Sequence, residues 1–220
     1  MELYHALNRG TDKRQIFMEQ SDYVRFVHDL YVYNDKKPAT NMWYSHAHNE
    51  VGLHYIERER QPLVHIHGWC LMRNHYHLLL SECIEGGITQ FLRKLNTGFT
   101  NHFNAKYERS GVLFQGKTKK VLIENDAHFL YILHYIHLNP LDYHTETSEW
   151  RTGNVSSARK ALEHLHKYCW SSFLDYCGEK NFPSIIDQDL FRDVFPDYSK
   201  SIRSYLKDID TESLDGFMLE

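Results

Sequence analysis

The sequence predicts an α+β fold, a ferredoxin-like antiparallel sheet with its helices on one face and a helical C-terminal extension. Three observations carry that expectation. Short apolar runs bounded by turn residues mark strands at 3–8, 63–71 and 75–81. Apolar residues at helical spacing mark helices beginning near Ser21, after Gly87 and after Asn125 or Asp126. The resulting order, β-α-β-β-α-β-α, places its first six elements in a split βαβ sheet.

Each element has a local reason. LYHALN (3–8) reads as a strand that Arg9-Gly10 ends. Ser21 fits an N-cap for a helix in which Tyr23, Phe26, Val27, Leu30 and Tyr31 share a face. Residues 34–61 are polar and irregular, with the charge run ERER, and read as an insertion or long loop. The strands at 63–71 and 75–81 are joined by the tight connection Met72-Arg73-Asn74. Gly86-Gly87 breaks the chain before a long helix that aligns Ile88, Phe91, Leu92, Leu95, Phe99 and Phe103, and Gly111 closes it. VLFQG and TKKVLIE read as a strand pair or one strand bent at Gly116. The helix AHFLYILHYIHLN then runs to Pro140. Beyond it, WSSFLDYCG, DQDLFRDVF and YSKSIRSYLKDI suggest further helices. The expected division is a catalytic domain over 1–140 and an extension over 141–220 with an acidic end.

Composition narrows the function classes. Of 220 residues, 42% are hydrophobic and 25% charged, ordinary for a soluble globular protein. No apolar run approaches the roughly 20 residues of a membrane span, and MELYHALNRGTDKRQ lacks a signal-peptide core, so no membrane and a cytoplasmic location are expected. The four cysteines show no C-x-x-C spacing and read as small buried hydrophobes. The net charge of −4 conceals two regions of opposite sign. Between Arg93 and Lys120 seven basic residues face Glu108 alone, a local balance of +6. From Asp175 to Glu220 eleven acids meet five bases. A basic middle beside an acidic end suits a phosphate-binding surface on an otherwise acidic protein. The tail from Asp208 to Glu220, with five acids and the apolar tip Phe217-Met218-Leu219, could compete with a phosphate-bearing ligand for those cations.

The chemistry centres on VHIHGWCLMRNHYHLLL (64–80), where histidine–apolar–histidine occurs twice, as His65/His67 and His75/His77. Alternation puts both histidines of a pair on one strand face, where neutral imidazoles can hold a metal. A catalytic metal also needs a third protein ligand and an open position. On the helix 127–139, Tyr135 and Asn139 are four apart and project together.

NRG near the start, CLMRNHYHLLL, FLRKLNTGFTNHFN, SGVLFQGKTKKVLI and HYIHLNP occur in that order. Over residues 3–140 they resemble the single-tyrosine HUH transposases, most closely the REP-associated tyrosine transposases. WSSFLDYCG resembles a further downstream segment of that family. The resemblance implies the HUH endonuclease fold, His75, His77 and Asn139 as ligands of one Mg²⁺ or Mn²⁺, and Tyr135 as nucleophile. It leaves His65/His67 without a counterpart, so that pair reads as structural. It implies single-stranded DNA carrying a hairpin as partner, and a 5′-phosphotyrosine intermediate in DNA strand transfer, in transposition or a domesticated derivative. The chain departs from the family pattern at Arg73, where proline is usual. Asn8, Arg9, Arg73, Arg93, Lys94, Lys117, Lys119 and Lys120 are the expected DNA contacts, and Phe114 an expected stacking surface. His134 and His137, off the Tyr135 face, are expected at the surface or facing DNA. A monomer or homodimer fits equally. A DNA-binding protein with little strand-transfer activity is the alternative reading, and a metal-dependent phosphodiesterase a more distant one.

Overall fold

The structure is a computed structural model that describes residues 1–38, 60–153, 155 and 157–207. Most of the polar segment 34–61, and the acidic tail after Lys207, lie outside the described residues. Strand β1 spans Leu3–Arg9, helix α1 Gln20–Val32, β2 Val64–Met72, β3 His75–Glu82, α2 Gly87–Lys106, β4 Lys119–Leu122 and α3 Asp126–Leu138. Four short helices follow: α4 (Ala158–Lys167), α5 (Phe173–Tyr176), α6 (Asp189–Arg192) and α7 (Tyr198–Tyr205). The strands pair antiparallel in the order β2-β3-β1-β4, the order of a ferredoxin-like sheet. The predicted class and element order therefore hold.

The helix layers differ from expectation, because both sheet faces are covered. Ala6, Ile66, Tyr76, Leu78 and Leu80 point to one face and pack against α1 and α2 through Phe26, Leu30, Phe91, Leu95 and Phe99. Leu3, Cys70 and Leu79 point to the other, against α3 and the C-terminal helices. The cause is the composition of α3. Tyr131 to Leu138 are buried without a break, so the last two turns of this helix have no solvent face. The sheet covers one side of it, and Phe173, Phe191, Tyr198 and Ile202 belong to the same core. His134 and His137, expected at the surface, lie inside this layer. The His134 Nε2 lies 3.1 Å from Ser201 Oγ; the two ring nitrogens of His137 lie 2.7 Å from Tyr198 Oη and Ser172 Oγ. They tie the extension to α3.

Two local features set the site's frame. A bulge at His67 shifts the register so that Ile66 faces Leu80 and Gly68 faces Leu79. It sends Trp69 and Leu71 into the α1/α2 core and keeps Cys70 and Met72 on the α3 face. At Gly68 a Cβ would come within 2.9 Å of Leu133 Cδ1, so glycine lets α3 close on the sheet two residues before Tyr135. The WSS segment adds to the edge of β2: Leu71 N–H donates to Trp170 O (2.9 Å) and Ser172 N–H to Trp69 O (3.0 Å). That pairing covers an otherwise open sheet edge.

Element ends move for identifiable reasons. Helix α1 begins two residues early, because Glu19 and Asp22 cap each other reciprocally and displace Ser21 from that role. Helix α2 ends at Lys106, ahead of Gly111. Of the region 112–124 only β4 is strand, and Phe114 forms a single bridge to Gly10. Asn125 caps α3 by accepting from His128 N–H at 2.8 Å. Pro140 does not stop the chain's turning; a 3₁₀ segment, Asn139–Tyr143, carries it in the first turn, where its missing N–H costs nothing.

Candidate active site

Antiparallel pairing sets β1 beside β3 with Leu7 opposite His77 and Arg9 opposite His75. Odd-numbered residues of both strands then share the face under α3, which collects His5, His75 and His77. The Nε2 atoms of His75 and His77 lie 3.1 Å apart. Two ligands at right angles on one ion, with bonds of about 2.1 Å, sit about 3.0 Å apart. Their partners fix how the protons can sit. The amide of Asn74 donates to Lys13 O (3.2 Å), so its Oδ1 is the atom that meets His75 Nδ1 at 2.6 Å. An amide oxygen only accepts, so His75 carries its proton on Nδ1 and presents a bare Nε2. His77 Nδ1 lies 2.9 Å from His5 Nε2 in a fully buried pair.

Two proton arrangements satisfy this chain of three histidines. In one, His5 Nε2–H donates to His77, and His77 Nε2–H donates to His75. In the other, His77 donates from Nδ1 to His5, and two bare Nε2 atoms face each other. The second would place a cation between them, with these two imidazoles as its nitrogen ligands. The donor set therefore fits a divalent metal held by two imidazoles, each oriented by an outer partner, Asn74 or His5. Among the described residues no cluster of three or more His, Cys, Asp and Glu side chains could hold a metal, so a third protein ligand has to be of another type.

Tyr135 stands next to this pair. Its ring is fully buried, edge-on to His77 (centroids 5.7 Å) and His5 (5.8 Å). Asn139 is buried one turn on, with its amide donating to Tyr135 O at 2.8 Å. Its Oδ1 accepts from Arg151 Nη2 at 2.7 Å. Arg151 also pairs with Asp142, which accepts from Trp150 Nε1 at 2.8 Å. The segment 139–152 thus covers the tyrosine, Trp150 against its ring at 5.9 Å and the Arg151 guanidinium over it at 5.8 Å.

The expected DNA contacts divide. Arg9 is on the histidine face, and its Nε is buried with no hydrogen-bond partner among the described residues. Arg73 lies in the exposed turn before Asn74, its guanidinium 4.7 Å from the Tyr143 ring centre. Arg93, Lys117, Lys119 and Lys120 are exposed, and Lys120 Nζ reaches Thr89 Oγ1 at 3.3 Å. Lys94 is used differently: its ammonium gathers the carbonyls of Asp35 (2.5 Å) and Lys37 (3.2 Å). Asn8 is buried, donating to Thr118 Oγ1 at 3.1 Å while accepting from Arg9 N–H. His65 lies 2.5 Å from Asp187 Oδ2 and His67 Nε2 2.8 Å from Ser81 Oγ, so the first pair anchors the segment at Asp187.

No protein-family model and no curated protein matches the chain. Among solved structures, a REP-associated tyrosine transposase bound to a REP hairpin matches over 86% of each chain, with a TM-score of 0.50 and 13% identity. The fold is that of a REP-associated tyrosine transposase. Within this transposase fold, His75, His77, Tyr135 and Asn139, which the resemblance pointed to, come together, and His5, Asn74 and Arg151, which the sequence did not point to, contact them. His5 sits 72 residues from His77 in the chain, and only the β1–β3 register joins them. Asn74 was legible only as a turn residue. Arg151 comes from a polar stretch with no periodicity to place it.

Proposed function

We propose that the chain cuts and transfers single-stranded DNA through a 5′-phosphotyrosine intermediate, acting beside hairpins. The observation that carries this reading is the convergence of His75 and His77 Nε2 at 3.1 Å with the Tyr135 ring beside His77. His75 and His77 would hold a divalent cation, Mg²⁺ or Mn²⁺, with Asn139 as third ligand once Arg151 leaves its Oδ1, and such an ion would supply Lewis-acid polarisation of the scissile phosphate. Arg9 and Arg73 contact the strand's phosphates, the buried Nε of Arg9 gaining the acceptor it lacks. Tyr135 Oη loses its proton and attacks phosphorus in line; the P–O3′ bond breaks, and the departing 3′-oxygen takes up a proton. Attack by a 3′-hydroxyl on the phosphotyrosine reverses the step without ATP.

The burial of Tyr135 beneath Trp150 and Arg151 favours a second reading, a DNA-binding protein of the same fold with little strand-transfer activity. One experiment separates the two. Wild type and Tyr135→Phe are incubated with hairpin-bearing single-stranded DNA and Mn²⁺, denatured, and resolved by mass. The transferase reading expects a covalent adduct with wild type alone. No adduct with wild type, with DNA binding retained, selects the binding protein. Turnover that survives in Tyr135→Phe would point to hydrolysis by a metal-dependent phosphodiesterase.

A further inference from the structure

On the sheet face opposite the histidines, a cavity of about 280 Å³ opens between α2 and residues 111–116. No acid or base lines it. Its walls are amides and hydroxyls on one side and Val112, Leu113 and Phe114 on the other. Uncharged donors and acceptors against an apolar wall suit a planar polar group with an apolar face, and supply no charge to neutralise a phosphate. The volume suits a single ring system. Val112 leaves 72% of its surface exposed at the rim, apolar area that a stacked ring would cover.

The polar wall is pre-arranged. Tyr76 Oη donates to Asn96 Oδ1 (2.8 Å), Asn96 donates to Thr118 Oγ1 (2.9 Å), and Asn8 donates to the same oxygen (3.1 Å). Tyr76 lies between His75 and His77, so this network is fixed to the strand that carries the histidine pair. Thr97, Thr100 and Asn101 share one face of α2 and make no side-chain hydrogen bond among the described residues. Arg93, one turn before Thr97, and Lys117, next to Gly116, are exposed and adjoin lining residues in the chain. Neutral readers flanked by cations are what a nucleotide needs, base inside and phosphates at the rim.

We infer that this cavity receives one unpaired nucleobase of the bound strand, adenine by preference, with Arg93 and Lys117 on the flanking phosphates. The preference follows from Asn101, whose amide offers a donor and an acceptor side by side, the complement of adenine N7 and N6. The inference rests on the reading of the chain as a single-strand DNA binder and adds a base-reading site to it.

The test compares fluorescence-anisotropy titrations of dA, dT and dC homopolymers with wild type and with Thr100→Val/Asn101→Leu. Both substitutions keep side-chain size on the solvent side of a helix, and circular dichroism checks the fold. Wild type should hold the dA strand about tenfold more tightly than dT or dC, the discrimination of a bidentate amide contact. In the double variant that gap should close to within about twofold, with dT affinity and salt slope as in wild type. A dA preference that survives the substitutions, or its absence from wild type, overturns the inference while the DNA-binding reading stands. Should wild type bind none of the three strands, the underlying reading falls and takes the inference with it.

Discussion

At the residue scale the site depends on where three imidazole protons sit. Asn74 commits His75 to Nδ1–H, and His5 lets His77 carry its proton on either nitrogen. His77→Ala should abolish detectable Mn²⁺ binding, measured by titration calorimetry or electron paramagnetic resonance. His65→Ala should leave it intact, since His65 serves Asp187 on another part of the sheet. His5→Leu keeps both ligands but removes the acceptor for His77 Nδ1–H; affinity should fall about 10- to 100-fold, as it does when an outer partner of a metal ligand is lost. Equal losses for His65→Ala and His77→Ala would remove the assignment of the second pair.

At the element scale, α2, β4 and the segment between them carry the basic residues, but their charges are not equivalent. Lys117 and Lys119 are exposed, whereas Lys94 holds the carbonyls that follow α1. Reversing Lys117 and Lys119 to Glu should weaken single-stranded DNA binding and flatten the log–log salt slope by about 1.4, two phosphate contacts at about 0.7 each. Lys94→Ala should leave the slope alone and lower the melting temperature instead, because three carbonyls lose a shared donor. A slope change with Lys94→Ala, and none with the Lys117/Lys119 reversal, would place the strand on a different face.

For the whole molecule, the α3 face is closed by an extension whose attachment is polar and buried. Burial lowers the His134 pKa to about 4 and holds that of His137 well below its ordinary value. Both stay neutral in the folded chain, while an unfolded chain protonates them near pH 6.5. The unfolded state thus binds more protons between about pH 4 and 6.5, so stability falls as the pH drops through that window. Each histidine contributes up to about 1.4 kcal/mol per pH unit there. Melting temperature should be flat above pH 7 and fall steeply below 6.5, and His137→Gln should flatten that fall while costing stability at pH 7. A melting temperature insensitive to pH from 7 to 5 would mean that the extension is not held by these histidines.

The sequence by itself determined the strand and helix order, because alternation and 3.6-residue spacing are local properties of the chain. It also showed that each histidine pair shares a strand face and that Tyr135 and Asn139 share a helix face, since each set lies within one element; the preference for His75/His77 over His65/His67 came from the resemblance. Polar contacts between elements were out of its reach. His5 meets His77 through strand register, and Arg151 reaches Asn139 from a segment without periodicity. Histidines 134 and 137 look like surface residues until the extension supplies Ser201, Tyr198 and Ser172 as partners. Polar side chains are buried only where another part of the chain satisfies them, and which part does so is settled by packing. The tertiary structure alone therefore decided that both sheet faces are covered, that Tyr135 lies beneath Trp150 and Arg151, and that Lys94 is engaged by backbone carbonyls.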